Sequence, residues 1–314
     1  MSVVLDQPAV WAGAGAVPRR RFLVIHNPVA GPRRARRLRA VVEVLTQRFG
    51  AEVHVQATSG RGDAEAMARA VAPGAWDALA VAGGDGTINE AVNGLAARGA
   101  EAAPVPLGIV PLGTANVLAH ELGLPLDAVG TAAVLAAGPA RPVHLGVANG
   151  RCFAMMAGAG LDARVVERVS SALKRRIGKG AYVLETLAQL ARFRDARYRV
   201  EVDGAVHEVA SVIAAKGHFY GGRFVCAPDA CLGEARLHVC LFPRTGRWNA
   251  ARYVGGVTLG LLGRFPDYRI VPAERVIVTG PEGEPVQGDG DVIARLPVEI
   301  AVSPWRLPVL VAGA

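Results

Sequence analysis

The chain has 314 residues, 51% of them hydrophobic and 20% charged, enough for one large or two medium domains with a substantial core. Mean hydropathy is +0.28, yet the longest apolar stretch near the C-terminus, YVGGVTLGLLG, is too short and too rich in glycine to cross a bilayer. A net charge of +8 calls for an anionic partner, and with 5% aromatic residues and no recognisable nucleic-acid module that partner is expected to be a nucleotide or an anionic lipid surface.

Residues 1–20 lack a basic cluster ahead of their apolar part and carry Asp6, so they read as a flexible leader rather than a secretory signal. A cytoplasmic protein that touches the inner face of a membrane is the expectation. RFLVIHNP, from Arg21, is an apolar run that ends in a turn signal. RRARRLRAVVEVLTQRFG places Leu38, Val41, Val42, Leu45 and Phe49 at helical spacing and stops at Gly50. AEVHVQATS alternates as a strand does, and GDAEAMARAVA is helical. WDALAVAGGDGT is a strand running into a glycine loop, with the helix INEAVNGLAARG behind it. PLGIVPLGTANVLAHELGLP repeats strand, glycine loop and helix. This alternation predicts an α/β domain over 21–141 with a doubly wound, mostly parallel sheet. Ligands of such sheets bind beyond the carboxyl ends of the strands. The loops Asn27 to Gly31, Gly83 to Thr87 and Pro111 to Asn116 fall there.

From Pro142 short β-like segments dominate, among them RCFAMMAGAG, RYRVEVDGAVHEVASVIAAKG and ARLHVCLF. They predict a β-rich domain over 142–303, an antiparallel sandwich with one long helical insertion from about Ala163 to Arg194. Val165, Val169, Leu173 and Ile177 give that insertion an apolar face, and LKRRIGK makes it basic. Residues 304–314 form a C-terminal segment that is free to return to the first domain. Cys152, Cys226, Cys231 and Cys240 show no Cys-x-x-Cys spacing, which argues for reduced thiols and against structural zinc.

None of the glycine loops is a Gly-Lys-Ser/Thr phosphate loop or a clean Gly-x-Gly-x-x-Gly fingerprint. Each on its own is satisfied by a tight turn, but three at one sheet edge point to a phosphate site. Asp85, on a loop and expected to be exposed, would be repelled by polyphosphate unless a cation such as Mg²⁺ stood between them. The alternative is a helix cap.

GGDGTINEAVNGL, PLGTANVLAHELGLP and NPVAG together resemble the diacylglycerol kinase catalytic family, with sphingosine and ceramide kinases as relatives. The resemblance continues through GAGLDARVVERV, GHFYGGRFVCAPDA and VQGDGDV, from about Phe22 to Val302. It implies two domains with ATP and Mg²⁺ in the cleft between them, and phosphate transfer to a primary hydroxyl of a membrane lipid. Asn27, Pro28, Gly31, Thr58, Gly84, Asp85, Gly86, Thr87, Asn89, Glu90, Gly113 and Thr114 would then contact ATP, with Asp85 organising Mg²⁺. The family's Asp-Gly-Glu appears as Asp289-Gly290-Asp291, with Asp291 as the general base and Asp289 as its alternative. Asp162 would recognise the lipid head, or else cap its helix.

The family's structural Mg²⁺ loop reads here PDACLGEARL, with Glu234 where an aspartate is usual, so that metal site is not expected in its usual form. Lys216-Gly217 replaces the usual Asn-Gly, and Lys216 is expected to be a solvated strand-end lysine, the alternative being a cation near the cleft. A soluble-metabolite kinase of the NAD kinase type would share GGDGT but not PLGTANVLA. A non-catalytic nucleotide- or lipid-binding protein is the other rival.

Overall fold

The computed structural model describes residues 19–28, 32–99, 104–169, 179–191 and 195–313. Four parallel strands, β1 (Arg21–His26), β2 (Glu52–Ala57), β3 (Ala78–Gly83) and β4 (Leu107–Pro111), lie in the order β2-β1-β3-β4. Every residue of β3 and β4 is buried, which is why both read as unbroken apolar runs rather than alternating ones. Helices α1 (Pro32–Phe49) and α5 (Ala128–Ala137) cover one face, over a core that holds Phe22, Val24, Leu38, Val41 and Leu45. Helices α2 (Asp63–Arg69) and α3 (Asp85–Ala96) pack on the other, with Ile25, Ala64, Val81 and Ile88. They cross so closely that a Cβ on Gly94 would collide with the carbonyl oxygen of Glu65.

The chain then builds a sandwich. Its second sheet has six strands, all paired antiparallel: β7 (Met156–Ala159), β10 (Ser211–Ala215), β13 (Leu237–Phe242), β14 (Arg269–Ala273), β16 (Pro285–Gly288) and β17 (Asp291–Arg295). It packs on β8 (Tyr198–Val202), β15 (Arg275–Thr279) and β18 (Val298–Leu310) around Phe153, Tyr198, Val239, Val276 and Val298. The long β18 ties the layers together. Ile300 pairs antiparallel with Val276, while Val309 lies beside Leu107 of the parallel sheet. One ten-stranded sheet therefore runs from the nucleotide-type half into the sandwich. An α/β half followed by an antiparallel sandwich agrees with the expected fold class.

The expected continuous helix from about Ala163 to Arg194 is interrupted at Val169, and residues 170–178 and 192–194 of it lie outside the described residues. Helix α6 (Leu161–Arg168) ends at Val169, whose backbone is extended at φ −62°, ψ 108°, and α7 (Lys179–Ala191) follows. Val169 is β-branched and a weak helix former, which the four-residue apolar repeat concealed. Leu173, Ile177 and most of the basic LKRRIGK stretch lie outside the described residues, as does Gly31. No helix among the described residues is long and apolar enough to cross a membrane. All four cysteines are free, three of them buried.

Candidate active site

The glycine loops meet where β1, β3 and β4 end. After β1, Asn27 donates its N–H to Ala82 O (3.0 Å) and its side-chain amide to Thr87 Oγ1 (3.0 Å), which joins the first loop to the second. The second and third loops approach most closely at their glycines: a Cβ on Gly113 would lie 2.6 Å from the Gly84 Cα. Gly84 is also the N-cap of α3 and offers no side-chain cap, so the first-turn N–H groups of that helix are left for a ligand.

Asp85 is not the exposed loop carboxylate anticipated from sequence. It is half-buried, and its Oδ1 accepts from the N–H of Val117 (2.7 Å) and Leu118 (3.5 Å) at the start of the short helix α4 (Val117–Glu121). It therefore caps a neighbouring helix and clamps GGDGT to PLGT. Burial pushes its carboxyl above the usual range, against the pull of those two amides.

The two acids of Asp289-Gly290-Asp291 have different surroundings. Asp289 takes a left-handed backbone (φ 51°), and its carboxylate accepts from Ala154 N, Met155 N, Met156 N and Asn89 Nδ2 at 2.7 to 3.1 Å. Burial raises its pKa while those donors lower it. Asp291 opens β17 half-exposed and pairs with Arg61 at 3.3 Å. It stands over the GGDGT loop so closely that a Cβ on Gly86 would lie 3.0 Å from its Oδ2. Asn89 is turned away from this space. It is buried, and it donates to Asp289 and to the Cys152 carbonyl (3.1 Å), tying α3 to the sandwich.

These groups border one end of a continuous cleft of about 1580 Å³ between the two halves. Asn27, Pro28, Thr58, Gly84 to Thr87, Glu90, Gly113 and Thr114 line it, together with Asp289 and Asp291. The other end is apolar, walled by Val165, Leu190, Phe242, Tyr253, Val254 and Val257. Asp162, in the first turn of α6, lies between the two ends. Its Oδ2 accepts from Gln287 Nε2 (3.2 Å), whereas its buried Oδ1 has no hydrogen-bond partner among the described residues. Burial pushes the Asp162 carboxyl up to about 6.

Sequence reasoning missed two features, the arginines of the cleft and a contact between the two halves. Arg33, Arg34 and Arg61 line the polar end of the cleft, and Arg34 donates to Thr114 Oγ1 (3.1 Å). Glu121 is buried and meets His218 Nδ1 at 2.8 Å, while the backbone N–H of Phe219 donates to its other oxygen (3.2 Å), a bond between the two halves. Arginines at the start of the first helix were a visible signal, but a helix that basic reads first as a solvated face. Lys216 is fully buried and points into the 231–236 loop, which corrects the expectation of a solvated lysine. Glu234, the candidate metal ligand, is exposed, and among the described residues no group of three His, Cys, Asp or Glu side chains is arranged to hold a metal ion.

Comparison with known proteins places these features in a family. Residues 21–148 match the diacylglycerol kinase catalytic domain, and residues 155–311 match the YegS C-terminal NAD kinase beta sandwich-like domain. A protein of Bacillus subtilis (strain 168) named diacylglycerol kinase is 32% identical over 286 residues, covering 89% of this chain and 92% of its own length. One of the same name from Staphylococcus carnosus (strain TM300) is 29% identical, covering 89% and 91%. In fold, the chain is similar to a crystal structure of a diacylglycerol kinase from Bacillus anthracis str. Sterne, with a TM-score of 0.72 at 24% identity over 93% of this chain and 96% of that one. It is more distantly similar to yeast NADH kinase, with a TM-score of 0.51 at 11% identity over 94% and 84%. The chain belongs to the diacylglycerol kinase catalytic family and is a kinase.

Proposed function

We propose that the chain transfers the γ-phosphate of ATP to a primary hydroxyl of a membrane lipid held in the apolar end of the cleft. The observation that carries this reading is the placement of Asp291 directly over Gly86, between an uncapped helix N-terminus and an apolar chamber. ATP lies with its phosphates against the first turn of α3 and the Gly113–Thr114 loop, where Arg33, Arg34 and Arg61 supply positive charge. Asp85 would hold a Mg²⁺ ion brought with ATP, and that ion would supply neutralisation of phosphate charge. Asp291 takes the proton of the lipid hydroxyl as its oxygen bonds to the γ-phosphorus and ADP departs. Four donors already on its carboxylate argue against Asp289 in that role and support one in which it fixes the turn that carries Asp291. Asp162 Oδ1, on the cleft wall and unpartnered among the described residues, accepts a hydrogen bond from the lipid head.

The chamber opens beside a surface suited to an anionic bilayer. Trp248 and Leu259, on α8 (Arg247–Leu259), are 75% and 72% exposed. At about 100° per residue they lie on one side of that helix, within roughly 20° of each other. Leu187 and Phe224 are also exposed, and both line the cleft. Exposed Arg223, Arg244, Arg247 and Arg264 flank them. Aromatic and aliphatic groups ringed by arginine match the interface of an anionic membrane.

The test is incubation with γ-labelled ATP, Mg²⁺ and mixed micelles, each carrying diacylglycerol, monoacylglycerol, a sphingoid base or ceramide. Label in the organic phase is the expected outcome and names the acceptor. Label only in a water-soluble acceptor such as NAD would replace this reading with the metabolite kinase. ATP binding without transfer to any acceptor would favour a binding protein.

A further inference from the structure

Directly after β10 the chain places Lys216, whose side chain has no exposed surface. Its backbone N–H donates to Met155 O (2.8 Å), so the side chain is anchored at its root. The ammonium Nζ then donates to main-chain carbonyl oxygens of a single loop: Glu234 O, Arg236 O (2.8 Å) and Cys231 O (3.4 Å). An ammonium has three hydrogens and no acceptor capacity, so these three carbonyls match its whole donor set. Carbonyl oxygens that converge on one point are also how a protein holds a hard divalent cation.

This loop is the one in which the family resemblance leads to the expectation of a structural Mg²⁺. The residues present do not fit that ion. Glu234 contributes its backbone oxygen and leaves its side chain exposed, and the converging carbonyls already have the Lys216 ammonium among them. A divalent ion brought to the same point would be repelled by that charge.

We propose that Lys216 is the resident cation of the 231–236 loop, its ammonium standing where a divalent metal ion would otherwise gather the carbonyls, so that the loop folds without metal. Three carbonyl acceptors need three N–H donors, which only the protonated amine has, even though burial lowers the Lys216 pKa. The effect reaches the cleft. Lys216 and Cys226 flank the hairpin of β11 (Phe219–Tyr220) and β12 (Phe224–Val225), whose legs are joined by Cys226 N to His218 O (3.0 Å). Tyr220 and Phe224 of that hairpin line the cleft wall.

Thermal unfolding of the full chain without ATP tests this, and because it reads no phosphoryl transfer its result is independent of the lipid kinase reading. The wild-type chain should melt at the same temperature, within about a degree, in EDTA and in excess Mg²⁺. Lys216→Met keeps the length of the side chain but strips the carbonyls of their donor, and should melt lower by roughly 5–10 °C in both buffers. A wild-type melting temperature that falls in EDTA and returns with Mg²⁺ overturns the proposal, as does a Lys216→Met chain as stable as wild type. If Lys216→Met does not fold, elemental analysis of the purified wild-type chain joins its melt: a stoichiometric divalent ion overturns the proposal, and its absence with an unmoved melt supports it.

Discussion

Asp289 and Asp291 are two residues apart and chemically identical, yet their surroundings assign them different work. Replacing Asp289 by Asn puts an NH2 group where one carboxylate oxygen accepts from two donors inside the protein, so Asp289→Asn should cost about 2–4 kcal/mol, read as a lowered melting temperature. Asp291→Asn removes a half-exposed carboxylate whose one ion pair is with an exposed arginine, and should leave the melt within about 0.5 kcal/mol of wild type. Its kcat should fall by roughly 10²–10⁴-fold. An unchanged kcat would place the base elsewhere. Asp162 adds a pH dependence. Its folded pKa, about 6, lies above the unfolded value, so the folded state holds the proton to higher pH. Its contribution to stability is complete below about pH 4 and is lost as pH rises through 6. Asp162→Asn should accordingly be more stable than wild type at pH 8, by roughly 1–3 kcal/mol, with the difference gone at pH 3.5. Denaturant melts at the two pH values measure this, and a variant no more stable at pH 8 would refute the buried-carboxyl account.

Among the elements, the short helix α4 depends on a side chain from a different βα unit. Its own N-cap residue, Asn116, makes no side-chain cap bond, and Asp85 supplies the acceptor from across the loops. Asp85→Ala should cost about 0.5–2 kcal/mol, as loss of a cap does, whereas Asp85→Asn retains an oxygen for Val117 N and should melt near wild type. If Asp85 also organises Mg²⁺, Asp85→Asn should still lose roughly 10²-fold or more in kcat, which separates its two roles. Strand–loop–helix alternation made the sheet, the three glycine loops and the sandwich legible in advance, because each rests on periodicity within one segment. The residues that read differently are those whose partners are distant in sequence. Asp289 is fixed by a turn 133 to 135 residues away, and Asp85 by amides 32 and 33 residues on. Asn89 sits on a helix buried on more than one side, so motif membership could not say which way it faces. The break at Val169 is a local failure of another kind, an apolar repeat that counts Val169 as helical although its backbone is extended.

On the scale of the whole molecule, β18 binds the halves covalently and through pairing, while Glu121 with His218 and Asn89 with Asp289 cross-link them beside the cleft. If the proposed function holds, a lipid would reach Asp291 from the apolar end of the cleft, which α7, α8 and the hairpin at Phe224 line. Trp248 and Leu259 are exposed on one side of α8, the side that would meet the bilayer on that reading, while Tyr253, Val254 and Val257 of the same helix line the chamber. Changing both outward residues to serine removes apolar surface without touching the cleft wall, so the fold and the chemistry should both survive. Partitioning of the Trp248→Ser, Leu259→Ser chain onto anionic vesicles should fall by roughly tenfold or more, at about 25 cal/mol for each Å² of apolar surface no longer inserted. Turnover of a short-chain acceptor dissolved below its micelle threshold should be unchanged, while apparent KM for acceptor presented in vesicles rises. Vesicle co-sedimentation together with the two kinetic assays checks it. Equal binding by the variant and wild type would move the membrane face elsewhere, and an equal loss with the dissolved acceptor would show that these side chains support the chamber rather than the approach to it.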